Sequence, residues 1–113
     1  MEWKIEFYKT KDNKSPVEEW LESIPVTAIA KITRNMLMLR KFNITLKEPY
    51  VKPLGDKLYE IRAKDTKGIY RVIYFAYTGK RFIMLHGFTK KTQKTPTKEL
   101  KLAKKRMEEI IDG

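Results

Sequence analysis

The chain predicts a small α+β domain, an antiparallel meander sheet with helices gathered against one face. Three observations lead there. The 113 residues are 42% apolar, enough for one core and one domain spanning residues 1–113. Three successive runs, Leu58-Tyr59-Glu60-Ile61-Arg62-Ala63, Ile69-Tyr70-Arg71-Val72-Ile73-Tyr74-Phe75 and Arg81-Phe82-Ile83-Met84-Leu85-His86-Gly87-Phe88, read as strands joined by short turns. Segments with helical spacing lie on either side of them.

Each element has its own signal. Trp3-Lys4-Ile5-Glu6-Phe7-Tyr8 alternates with period two, as a half-buried strand does. Ser15-Pro16-Val17-Glu18 is a helix start: Ser15 suits the cap, Pro16 the first helical position, and Glu18 completes a capping box. Val17, Trp20, Leu21 and Ile24 follow on one face, and Pro25 ends that helix. A second helix is expected from about Thr27, with Ile29, Ile32, Met36 and Leu39 in line. Pro49 and Pro53 bracket a loop or short edge strand at Tyr50-Val51-Lys52. After the three strands, Thr95 is a candidate cap and Pro96 a candidate first position for a helix. Its apolar stripe is Leu100, Ala103, Met107, Ile110 and Ile111.

Composition narrows the function. Twenty-five Lys and Arg against 14 Asp and Glu give a formal charge of +11. Residues 1–56 hold ten basic and eight acidic groups, whereas residues 57–113 hold fifteen and six. A basic half that also contains the arginine strands suggests a polyanion, nucleic acid before anionic membrane. The plainer explanation is a solvated lysine surface. No apolar run is long enough to span a membrane, and Met1-Glu2-Trp3-Lys4 does not resemble a secretory signal. The absence of cysteine fits a reducing cytoplasm and removes thiolate metal sites. With one histidine and scattered carboxylates, no metal is expected. A phosphate-binding glycine loop, a nucleophile elbow and a zinc-protease motif are all missing.

Arg62 and Arg71 stand on neighbouring strands, across from each other or one diagonal apart. Two fixed guanidinium forks suit phosphate oxygens. The plainer role is pairing with Glu60 or Asp65. His86, the sole histidine, is either a partly buried core residue or a proton-transfer group. Phe88-Thr89-Lys90-Lys91-Thr92-Gln93-Lys94 is a cationic segment headed by an aromatic, suited to a phosphate backbone or to an ordinary surface loop. Tyr59, Tyr70, Tyr74 and Tyr77 are expected mostly to pack, with one hydroxyl available as an acid if it faces the arginines.

Three stretches, Leu58-Tyr59-Glu60-Ile61-Arg62, Gly68-Ile69-Tyr70-Arg71-Val72 and Leu85-His86-Gly87-Phe88-Thr89-Lys90-Lys91-Thr92-Gln93-Lys94-Thr95-Pro96, together resemble the HigB-type, phage Gp49-like branch of the RelE/ParE toxin superfamily. The likeness covers most of the chain and is strongest from Leu58 to about Arg106. It implies a RelE-like fold and a cytoplasmic toxin neutralised by a helix-turn-helix antitoxin. It also implies metal-free, cofactor-free cleavage of mRNA on the ribosome, through 2′-OH attack that leaves a 2′,3′-cyclic phosphate. Under that resemblance Arg62, Arg71, His86 and Lys90 are the catalytic candidates. Lys57, Lys91, Lys94 and Lys98 are the RNA-binding ones, with Lys101, Lys104, Lys105 and Arg106 following ribosomal RNA. The same superfamily includes ParE-like toxins that inhibit gyrase without catalysis. A catalytically silent RNA-binding module fits the charge equally well.

Overall fold

A computed structural model describes residues 2–113. The order is β1 (Lys4–Phe7), α1 (Pro16–Ser23), α2 (Val26–Phe42), a 3-10 turn at Asn43–Thr45, β2 (Val51–Gly55), β3 (Leu58–Asp65), β4 (Gly68–Tyr77), β5 (Arg81–Lys90) and α3 (Thr97–Asp112). The sheet runs β1-β5-β4-β3-β2. Strands β2 to β5 form the expected antiparallel meander. Strand β1 joins β5 in parallel, so the sheet is mixed.

The helices do not share one face. Helices α1 and α2, with Ile24 between them, pack Val17, Ala28, Ile32, Met36 and Leu39 against Ile61, Val72, Tyr74 and Met84. Helix α3 packs Ala103 and Met107 against Leu58, Ile73, Phe75, Ile83 and Leu85 on the other side. The reason is written in the central strands β4 and β5, which are apolar at both parities. A sheet covered on both sides needs continuous apolar runs rather than alternation. Strand β4 is buried at every position from Gly68 to Phe75.

The helix starts differ from expectation in detail. Pro16 does hold the first turn of α1, but the Ser15 hydroxyl makes no cap and lies buried without a partner. Pro25 ends α1 and α2 begins at the next residue. Pro96 is the cap of α3 rather than its first residue, and Thr95 is employed elsewhere. Pro53 is tolerated because β2 is an edge strand.

Two local features set up the site. The β4–β5 ladder slips by one residue, with Ile73 opposite His86 and Tyr74 opposite Met84. This bulge lets Leu85 and His86 both face α3. Gly87 faces the other way and receives the Trp20 ring. A Cβ there would lie 2.3 Å from Trp20 Cε3. The glycine therefore locks α1 onto β5 directly behind His86 and Phe88.

Candidate functional site

Arg62 and Arg71 are register partners on β3 and β4, and Arg71 is in turn opposite Phe88 on β5. Paired residues point to the same side of a sheet. Here that side is the α3 face, which also carries His86 and Lys90, opposite Ile73 and Ile69. All four catalytic candidates thus share one face.

They are not equally accessible. Arg71 is 0% exposed. Its guanidinium donates to the Thr92 carbonyl and to Thr95 Oγ1 (3.4 Å), and its Nε lies 4.0 Å from Glu60 Oε1. Burial lowers the Arg71 pKa, Glu60 raises it and Arg62 lowers it again. The group remains a cation, because arginine starts so high. Arg62 is partly open, its side chain 21% exposed. It donates from Nε to Glu60 and from its terminal nitrogen to the Gln93 carbonyl, at 2.7 Å. Glu60, fully buried, also accepts the Thr95 hydroxyl at 2.7 Å. The two arginines therefore staple the 91–95 segment onto the sheet. As placed, Arg71 is a clamp beneath that segment and Arg62 is the guanidinium at its rim.

A second cluster adjoins the first. His86 stacks on Phe88 at 5.4 Å, and Phe88 lies 5.7 Å from the Arg71 guanidinium carbon. His86 Nε2 is 2.8 Å from Glu99 Oε1, and Lys90 Nζ is 3.9 Å from Glu99 Oε2. The His86 pKa lies below its ordinary value, chiefly from burial, with Glu99 pulling it up and Arg106 pulling it down. The imidazole is consequently neutral near pH 7. Lys90 is half-exposed.

The remaining candidates divide by position. Lys91 and Lys94 are exposed on the stapled segment, and Lys98 is exposed in the first turn of α3. Lys94 and Lys52 line an open groove of about 460 Å³ with Pro53, Gln93, Thr95 and Leu100. Lys57 does not join them. It sits in the β2–β3 turn beside the far end of α3, near Lys104, Glu108 and Asp112. The reach of α3, at 1.5 Å per residue, separates the two ends.

Among the described residues, no strand tyrosine hydroxyl bonds to Arg62 or Arg71. Tyr70 and Tyr74 lie on the α1–α2 side. Tyr59 stacks on Tyr74 there. The Tyr77 hydroxyl donates to the Ile110 carbonyl, toward the C-terminal end of α3. Burial first, and then a neighbouring Asp65 or Tyr59, hold Tyr70 and Tyr74 above the ordinary phenol range. Among the described residues, no group of three or more His, Cys, Asp or Glu is placed to hold a metal ion. None of the described helices is long and apolar enough to cross a membrane.

The acidic half of the site was legible only in part. Glu60 shares the parity of Arg62, so strand alternation signals the pair. Thr95 reads as a helix cap by sequence, and its real partner is 35 residues away. Nothing local connects Glu99 to His86.

Comparison with known proteins agrees with this architecture. The family model described as phage-derived protein, Gp49-like, matches residues 19–108. The chain belongs to the Gp49-like family. Its fold is similar to that of the toxin RelE of E. coli, solved as a double-arginine mutant in the free state. That likeness has a TM-score of 0.63 at 16% identity, over 95% of this chain and 99% of that one. No curated protein matches the Gp49-like chain by sequence.

Proposed function

We propose that this Gp49-like chain is the toxin of a toxin–antitoxin pair and cuts mRNA on the ribosome without metal. The supporting observation is the gathering of Arg62, His86 and Lys90 on one sheet face, over the buried Arg71 clamp. Family membership and the RelE-like fold agree with it.

The chemistry matches the groups. Neutral His86 takes the proton of a ribose 2′-OH. The 2′ oxygen forms a bond to the adjacent phosphorus, and the bond from phosphorus to the 5′ oxygen breaks. A 2′,3′-cyclic phosphate remains on one product. Arg62 and Lys90 stabilise the charge that builds on the phosphorane oxygens. The Lys90 ammonium supplies the proton for the departing 5′ oxygen. Arg71 works by holding the 91–95 segment, so that Lys91, Lys94 and Lys98 track the RNA backbone in the cytoplasm. Lys57 is too distant for this role and belongs with Lys101, Lys104, Lys105 and Arg106 as the surface for ribosomal RNA. The antitoxin is a small helix-turn-helix protein that covers this face.

A second reading has one observation in its favour. Arg71 spends its terminal nitrogens on Thr92 and Thr95, and Glu60 accepts from Thr95 and Arg62, so neither is turned toward a substrate, which also suits a non-catalytic RNA-binding module. Primer extension on translated mRNA, with purified protein and ribosomes, separates the two. Cuts within codons ending in cyclic phosphate are expected. Arg62→Ala is expected to slow them about 100- to 1,000-fold with the fold intact. Salt-sensitive RNA binding without cuts defeats the nuclease, and gyrase inhibition without cuts assigns a ParE-like activity instead.

A further inference from the structure

Glu99 is a buried acid in the first turn of α3, and it spends both oxygens on the candidate site. Oε1 meets His86 Nε2 at 2.8 Å and Oε2 lies 3.9 Å from Lys90 Nζ. The helix start favours a carboxylate there, since the unsatisfied N–H groups carry partial positive charge. A carboxylate only accepts hydrogen bonds, so Nε2 must carry the hydrogen. The second ring nitrogen, Nδ1, then keeps its lone pair.

We infer that Glu99 is the positioning residue of this site, holding His86 in the Nε2–H tautomer with Nδ1 free to act as the base. The assignment of Nδ1 as base rests on the nuclease reading. The hold of Glu99 on the tautomer does not. The charged groups around His86 argue the same way. Arg106 on α3 donates to the Leu85 carbonyl at 2.9 Å, Arg71 on β4 lies beyond Phe88, and Lys90 follows on β5. Burial and Arg106 oppose protonation of the ring, and Glu99 is the anion bonded to it. Without Glu99 the imidazole would be free to rotate or change tautomer, and a weaker base would result.

The competing role for Glu99 is merely to start α3. The single histidine makes the two roles separable, because every imidazole signal belongs to His86. In the unaltered chain, two-bond proton–nitrogen correlation at pH 7.5 is expected to show protonated Nε2 and unprotonated Nδ1. In Glu99→Gln the His86 titration midpoint is expected to fall by about one pH unit. The acid limb of kcat/KM is expected to move with it, while Glu99→Asp restores most of both. An Nδ1–H tautomer in the unaltered chain overturns the inference and needs no variant. So does an unmoved midpoint in folded Glu99→Gln, even if its Tm drops. If the tautomer and midpoint behave as stated but ribosomes show no cleavage, the nuclease reading falls and the Glu99–His86 assignment stands.

Discussion

Replacing Glu60 by glutamine removes one charge from the most deeply buried ion cluster of the chain while keeping its shape. Glu60 is fully buried, accepts from Thr95 and Arg62, and stands nearest the Arg71 Nε, which has no hydrogen-bond partner. The amide keeps one accepting oxygen. Its nitrogen must face either a guanidinium, where donor meets donor, or the Thr95 hydroxyl, whose proton then loses its carboxylate acceptor. Arg71 is left as a buried cation with only neutral acceptors. Removing one partner of a buried pair costs about 3–5 kcal/mol. The retained acceptor places Glu60→Gln at the lower end, about 3 kcal/mol. For a domain of this size that corresponds to a Tm lower by about 12 °C. The assay is urea unfolding at pH 7, followed by tryptophan fluorescence, with Arg62→Ala as the comparison. Arg62 is at the rim, so its loss is expected to cost about 1 kcal/mol. A Glu60→Gln loss below about 1 kcal/mol refutes the argument that Glu60 is the counter-ion holding this cluster together.

Other outcomes follow from the same geometry. Gly87→Ala drives a methyl group into the Trp20 ring and is expected to destabilise by about 1–3 kcal/mol. Trp20→Leu in the same chain should recover part of that, and no recovery would place the clash elsewhere. His86 has a folded pKa below its ordinary value, so the unfolded chain binds more protons in the window just under pH 6.5. Its contribution is therefore full above pH 6.5 and is lost as pH falls toward the folded pKa. The urea midpoint of the unaltered chain should thus lose ground to His86→Gln between pH 7 and pH 5. A gap that does not change with pH contradicts this. Lys91, Lys94 and Lys98 changed together to alanine should make the salt dependence of single-stranded RNA binding shallower by about 2 in the log–log slope. An unchanged slope would take the RNA path off this face.

Local chemistry carried much of the fold. The double-parity apolar runs of β4 and β5, the alternation of β3, the helix start at Pro16, the break at Pro25 and the stripe on α3 all set elements where they occur. What the runs did not reveal was the side each helix takes. Apolar residues at both parities demand two covers, but which helix supplies which cover depends on long-range packing. The parallel docking of β1 on β5 is likewise invisible, because a four-residue strand carries no mark of its neighbour.

The site divides along the same line. The sequence by itself pointed to Arg62 and Arg71 on neighbouring strands and to Lys90 at the exit of the third, as the two-residue period of a pleated chain allows. His86 joins their face through the slip of the β4–β5 ladder, which leaves Phe82 and Met84 on the other side. Only the tertiary structure decided their states. It buried Arg71 under the 91–95 segment, brought Thr95 onto Glu60 and Glu99 onto His86, and carried Lys57 to the far end of α3. Burial and charge pairing depend on what other elements lay over a residue, and that contact is made only when the chain closes on itself.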